Sequence, residues 1–190
     1  MQNFPPLYLL RHGQTNWNRD RRIQGQMESN LTKLGRDHAT RQGEILRGLN
    51  LPPEILALCS PLSRTRETAE IALGMIGLVP QFDVRLKEVH MGRWEGSYYD
   101  DLLVAQPELK KLGVLQLCLA SDGENADDMR DRAAAFLAEQ TGPTVIVSHG
   151  IIMSFLRGHI LGSSLSEMEA MDRAHGVVIE ISDGQEKIHR

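Results

Sequence analysis

Two histidines occupy the same kind of place in the chain. The apolar run Leu7–Leu10 ends at Arg11-His12-Gly13, and the apolar run Val145–Val147 ends at Ser148-His149-Gly150. Imidazole can act as a base and a nucleophile near neutral pH. A glycine after it lets the backbone turn sharply and approach a ligand. A third run, Glu54–Cys59, leads through Ser60-Pro61-Leu62-Ser63 to Arg64. A helix opening at Ser60-Pro61 puts Arg64 in its first turn, where free N–H groups and the positive dipole end favour phosphate. Arginine adds forked, permanently charged donors that match phosphate oxygens. Two imidazoles, the guanidinium groups of Arg11 and Arg64 and a helix N-terminus together ask for a compact anion. They meet only if the three runs are strands whose carboxyl ends share one edge of a sheet, the place where open α/β sheets bind ligands.

The rest of the chain supplies such strands. Thr32 is placed as an N-cap, followed by Leu34, His38, Ile45, Leu46 and Leu49 at helical spacing until Pro52-Pro53. Ala69, Ala72, Leu73 and Ile76 form the stripe of a second helix, stopped by Gly77. Val84–Val89 reads as short and extended, and 97–122 as one or two helices of uncertain phase. Asn125 with Asp128 resembles a capping box for a helix to about Glu139, and Ile151–Leu161 is a helix closed by Gly162. Val177–Ile181 is the last long strand, with Asp183-Gly184 turning into Glu186–His189. Strands alternating with helices predict a three-layer α/β/α sandwich around a mostly parallel sheet.

Composition narrows the function classes. The 190 residues carry 21 Lys and Arg against 25 Asp and Glu, a formal net charge of −4. That balance excludes holding a nucleic acid or an anionic membrane by bulk electrostatics, so any anion site is a local concentration of cations. A hydrophobic share of 41% excludes a disordered chain. The length suits one domain over 1–190. Cys59 and Cys118 make neither a disulfide framework nor a metal cluster, and Cys59 reads as core. The absence of a basic leader and of a long apolar run predicts a cytoplasmic protein.

The residues also carry a resemblance. Leu9-Leu10-Arg11-His12-Gly13-Gln14-Thr15-Asn16-Trp17-Asn18 is similar to the signature of the histidine phosphatase superfamily, also called phosphoglycerate mutase-like. The similarity continues in Gln24-Gly25, Leu31-Thr32, Ser60-Pro61-Leu62-Ser63-Arg64-Thr65, Leu86-Lys87-Glu88, Gly92-Arg93-Trp94-Glu95-Gly96 and Ser148-His149-Gly150. The resemblance implies that His12 attacks phosphorus and becomes a phosphohistidine. It implies that Arg11, Arg64 and His149 hold phosphoryl oxygens, that Asn18 and backbone near Gly13 or Gly25 add neutral donors, and that Glu88 is the acid and base. It implies no cofactor and no metal, the arginines standing in for one. The substrate would be a small phosphorylated metabolite. Glu28-Ser29-Asn30 and Gly123-Glu124-Asn125 depart from the family pattern without removing any of these groups.

Each assignment has a competitor. Arg66 stands two residues beyond Arg64, but helical residues advance by about 100°, so the two point to different sides. Glu95, in the Trp-Glu-Gly turn, competes with Glu88. His175-Gly176 precedes a strand instead of following one and reads as structural, while His38, His90, His159 and His189 have no such context. Trp17 and Trp94 read as packing residues. Arg19, Arg21 and Arg22 read as a solvated basic run, with steering of phosphate as the alternative. Phosphomonoester hydrolysis is the expected activity. The alternatives are phosphoglycerate mutase-type transfer and a non-catalytic phosphate-binding regulatory protein. Mutases of the family cover their substrate with an insertion, whereas 97–122 is short and holds only Lys110 and Lys111 as basic residues. Apolar residues in Val177–Ile181 and 102–119 suit a homodimer face or a core equally.

Overall fold

A computed structural model describes residues 4–190. Six strands form one sheet in the order β3-β2-β4-β1-β5-β6. They are β1 (Leu7–Arg11), β2 (Leu56–Cys59), β3 (Gln81–Phe82), β4 (Thr144–Ser148), β5 (Val178–Ser182) and β6 (Gln185–His189). The first four in space, β3, β2, β4 and β1, run parallel. β5 is antiparallel to β1, and β6 is antiparallel to β5. The sheet is thus mixed, mostly parallel, with an antiparallel hairpin on one edge.

Strand alternation builds the layers. Leu7 and Leu9 point to one face, where they pack with Ile146, Ile179, Ile181 and the apolar sides of α6 (Ala126–Leu137) and α7 (Gly150–Leu161). Tyr8 and Leu10 point to the other, with Val145, Val147, Val178 and residues of α2 (Lys33–Gly48) and α3 (Ser63–Gly74). Residues 7 to 10 are all buried, as a central strand covered on both faces requires. The result is the expected three-layer α/β/α sandwich. Val177, Val178, Ile179, Ile181, Leu102, Leu109, Leu115 and Leu117 are buried in this core, while Val104 and Val114 are exposed.

Several local signals hold. Thr32 caps α2, its hydroxyl accepting the Gly35 N–H at 3.0 Å. Asn125 and Asp128 form the capping box of α6. Gly162, at φ 67°, closes α7. Asp183 and Gly184 both have positive φ, the two-residue turn that matches strand twist between β5 and β6.

Other expectations are corrected. Val84–Val89 is not extended: Val84–Leu86 is a 3-10 turn, and the strand lies just before it at Gln81–Phe82. Asp83 caps that turn, its carboxylate accepting the Arg85 N–H at 2.8 Å. α3 starts at Ser63 and not at Ser60-Pro61, with the carboxylate of Glu28 accepting the Ser63 N–H. The stretch 97–122 divides into α4 (Tyr99–Ala105), a 3-10 turn at Pro107–Lys111 and α5 (Val114–Leu119), broken at Pro107 and Gly113. A single helical turn, α1 (Asn16–Arg19), lies where no periodicity is readable, and α8 (Leu165–Glu169) opens on the box Ser164–Glu167.

Candidate active site

Register decides whether the two histidines meet. β1 and β4 are neighbours, with Arg11 opposite Ser148. His12 and His149 therefore leave the sheet side by side, their ring centroids 5.2 Å apart. The loop beyond β1 passes against α2 with no room to spare. A Cβ on Gly13 would lie 2.0 Å from the Gly35 carbonyl oxygen. The Gly13 N–H donates to Thr68 Oγ1 at 3.0 Å.

His12 is buried, and its Nδ1 lies 2.7 Å from the carbonyl oxygen of Gly13. A carbonyl only accepts, so Nδ1 carries the proton and Nε2 of the neutral ring keeps its lone pair. Burial, and then the positive charges of Arg64 and its neighbours, hold the imidazole well below its ordinary pKa of 6.5. The ring is neutral at physiological pH, the form that can attack an electrophile.

Arg64 is held on three sides. Its Nη2 donates to the Gly25 carbonyl at 2.7 Å, its Nη1 to the Met27 carbonyl at 2.8 Å, and its Nε to His149 Nδ1 at 3.2 Å. His149 Nδ1 therefore accepts, and its proton sits on Nε2, which donates to Ser60 Oγ at 2.8 Å. Burial and the Arg64 charge push His149 well below its ordinary pKa as well. Arg11 donates to the carbonyl of Arg173, and its buried Nε has no partner among the described residues. Arg66 instead donates to the Pro61 carbonyl and lies over Phe82, away from this cluster.

Glu88 sits on the N-terminus of α7. Its carboxylate accepts the Ile151 N–H at 3.2 Å and the Ile152 N–H at 3.1 Å. Glu95 instead braces the backbone, its Oε1 accepting the Gln26 and Met91 N–H groups, each at 2.9 Å. Gly25 is left-handed, and a Cβ there would lie 2.0 Å from that same Glu95 oxygen. Asn18 completes the capping box of α1, its Oδ1 accepting from the Thr15 N–H and hydroxyl at 3.1 Å. Its Nδ2 donor has no partner among the described residues.

These groups surround a cavity of about 330 Å³, lined by His12, Arg11, Arg64, Glu88, Asn18 and Gly25. His149 stands directly behind Arg64 and does not line it. The lining also includes Arg21 and Arg22, for which phosphate steering is the alternative to a solvated face, Trp17, which the sequence assigns to packing, and Gln24, Arg173 and Tyr99, to which sequence reasoning gives no role. Five guanidinium groups and one carboxylate face one hollow in a chain of net negative charge. Such a hollow can bind a phosphate and stabilise charge developing on it. His175, which the sequence marks as structural, does not line the cavity but braces its loop. Its ring lies 5.6 Å from that of His12, and its Nδ1 donates to the His12 carbonyl at 2.6 Å. No helix among the described residues is long and apolar enough to cross a membrane.

Known proteins resemble this chain throughout. Probable phosphoglycerate mutase GpmB of Citrobacter koseri is 38% identical over 167 residues, covering 82% of this chain and 74% of that protein. Among solved structures, Bacillus stearothermophilus YhfR superposes with a TM-score of 0.78 at 31% identity, covering 97% of this chain and 95% of that one. A mycobacterial glucosyl-3-phosphoglycerate phosphatase, solved with VO3, superposes with a TM-score of 0.78 at 26% identity, covering 97% and 96%. The sequence profile of the histidine phosphatase superfamily, branch 1, matches residues 7–190. A chain that carries the family's sequence pattern and its fold over nearly its whole length is a member of it: this protein belongs to branch 1 of the histidine phosphatase superfamily.

Proposed function

We propose that the protein hydrolyses phosphomonoesters of a small metabolite through a phosphohistidine on Nε2 of His12, acting as one domain in the cytoplasm without a metal. The observation that carries this reading is the Nδ1–H of His12 donated to the Gly13 carbonyl, which leaves Nε2 as the nucleophile within a cavity lined by Arg11 and Arg64. In the first step Nε2 bonds to phosphorus as the P–O ester bond breaks. Protonated Glu88 gives its proton to the departing alkoxide. In the second, water bonds to phosphorus, Glu88 takes its proton, and the N–P bond breaks to release inorganic phosphate. Arg11 and Arg64 hold the non-bridging oxygens, with Asn18 and the Gly25 N–H as neutral donors. His149 completes the cradle from behind, accepting Arg64 Nε and fixing that guanidinium.

Phosphate release from a phosphomonoester panel in EDTA, with His12→Ala in parallel, tests the reading. EDTA-resistant release that the substitution abolishes supports it. Equal activity in the two proteins overturns the assignment of His12. The name carried by the GpmB relatives favours a second reading, phosphoglycerate mutase-type transfer. Against it, Lys110 and Lys111 are exposed and do not line the cavity. Isomerisation of 3-phosphoglycerate without phosphate release would establish the mutase. A regulatory phosphate binder would need no acid and base group such as Glu88.

A further inference from the structure

The backbone that carries Glu88 lies outside every helix and strand. It follows the 3-10 turn Val84–Leu86, and residues 87–91 join no ladder. Side chains hold it instead. The Ser148 hydroxyl donates to the Leu86 carbonyl at 2.7 Å, and the Gln26 amide to the Glu88 carbonyl at 3.1 Å. Arg132, projecting from α6, contributes most. Its Nη1 donates to the carbonyls of Arg85 at 2.8 Å and Lys87 at 2.6 Å, and its Nη2 reaches that of Glu88 at 3.4 Å. Four consecutive carbonyls, 85 to 88, are thus engaged by side chains from three separate parts of the chain.

The other edge of the Arg132 guanidinium is fixed as well. Nε and Nη2 each donate to the Glu124 carboxylate at 2.8 Å. The same carboxylate accepts the His90 N–H at 2.7 Å, and the Glu124 N–H donates to the His90 carbonyl at 2.8 Å. The approach is close: a Cβ on Gly123 would lie 1.9 Å from that carbonyl oxygen. Glu88 is therefore gripped on both sides, by Arg132 behind it and by Glu124 two residues ahead. Arg132 does not line the cavity and touches no substrate. A planar fork with two usable edges is what this clasp requires, and an ammonium does not supply it.

We infer that Arg132, braced by Glu124, is a positioning residue that sets the Glu88 carboxyl at the leaving oxygen. A proton passes only within hydrogen-bond reach, and a misplacement of about 1 Å can cost about 10²-fold in rate. This inference rests on the acid and base role of Glu88 proposed above. The test is a cycle of Arg132→Met, Glu88→Gln and the double variant. Turnover is measured on the alkyl phosphate of the panel that the parent hydrolyses fastest. Pre-steady-state release of p-nitrophenol gives the first step on p-nitrophenyl phosphate, whose leaving group needs no proton. We expect Arg132→Met to lower kcat on the alkyl phosphate about tenfold or more, and the p-nitrophenol step less than about threefold. Added to Glu88→Gln, it should lower the alkyl rate less than about threefold further, because the group it positions is already disabled. A merely structural role lowers both substrates alike and multiplies with Glu88→Gln. Should Arg132→Met not fold, Glu124→Gln, which loosens the same clasp while keeping an acceptor for Arg132, carries the identical comparison. Equal losses on the two substrates, losses that multiply, or no loss at all overturn the inference, and the acid role stands if Glu88→Gln alone still discriminates between the substrates. If Glu88→Gln does not discriminate, or if no member of the panel is hydrolysed, the underlying reading falls and this inference with it.

Discussion

His175 donates its Nδ1–H to the backbone carbonyl of His12 at 2.6 Å. Two residues earlier, the carbonyl of Arg173 receives the guanidinium of Arg11. The short segment ahead of β5 therefore holds two consecutive residues of the cavity in place. His175 is a positioning residue in this arrangement. Its replacement by Ala leaves a buried carbonyl unpaired, at a cost of about 1–3 kcal/mol, and frees the backbone that aims the His12 ring. We expect His175→Ala to lower kcat about tenfold with a smaller change in KM. His175→Asn, whose amide can donate to the same carbonyl, should recover part of the loss. Equal kcat in the parent and in both variants would remove the role.

Glu88→Gln should separate chemistry from binding. The amide cannot give or take the proton, so kcat is expected to fall about 10²–10⁴-fold on an alkyl phosphate. The loss should be much smaller with p-nitrophenyl phosphate in the first step, because its leaving group needs no proton. Pre-steady-state release of p-nitrophenol is the measurement. An equal loss on both substrates would contradict the acid role.

Arg64→Lys is not a conservative change here. The guanidinium meets the carbonyls of Gly25 and Met27 and the ring of His149 with three separate nitrogens. An ammonium cannot reproduce that fork. We expect at least a hundredfold loss in kcat/KM, carried by both KM and kcat, together with weaker inhibition by vanadate. Retention of more than half the parent activity would show that charge alone suffices.

The buried histidines give a pH signature. An imidazole whose folded pKa lies below its unfolded value takes up a proton on unfolding once the pH drops below about 6.5. Above that pH both states are neutral and the contribution to stability is intact. As the pH falls toward the folded value, stability declines by about 1.4 kcal/mol per pH unit for each such group. His175 is lowered to about 3 by burial and then by Arg11, and His12 and His149 are lowered as well. The Tm of the free protein should therefore fall from pH 6.5 to 5.5, where carboxylates remain mostly ionised, and less steeply in His175→Asn. In the same window kcat/KM should show no acid limb from His12. A flat Tm, or a rate inflection near 6.5 in the parent protein, would contradict the burial.

Local sequence determined a good deal of this protein. The apolar runs before His12 and His149 read as buried strands, and both are central strands covered on both faces. Thr32, Asn125 and Gly162 fixed helix ends through hydrogen bonds and backbone freedom confined to a few residues. The family resemblance singled out Arg64 over Arg66 and Glu88 over Glu95, and the cavity lining contains Arg64 and Glu88 and neither competitor. Short pieces stayed illegible. α1 has a single turn, and Val84–Leu86 takes its shape from the cap of Asp83, so neither leaves a period to read.

Tertiary structure alone decided the rest. His175 looks structural from the sequence because it precedes a strand, and ligand sites follow strands in a parallel sheet. β5, however, runs antiparallel to β1, with Ile179 opposite Leu9. Its beginning therefore lies beside the end of β1, and the residue before it meets His12. Strand direction depends on how far the preceding chain travels before it pairs, which no local pattern records. The same holds for Arg22. Its place in a basic run suggests a solvated face, and only the approach of Tyr98 and Gly96, more than seventy positions away, turns it into a fixed cation in the cavity.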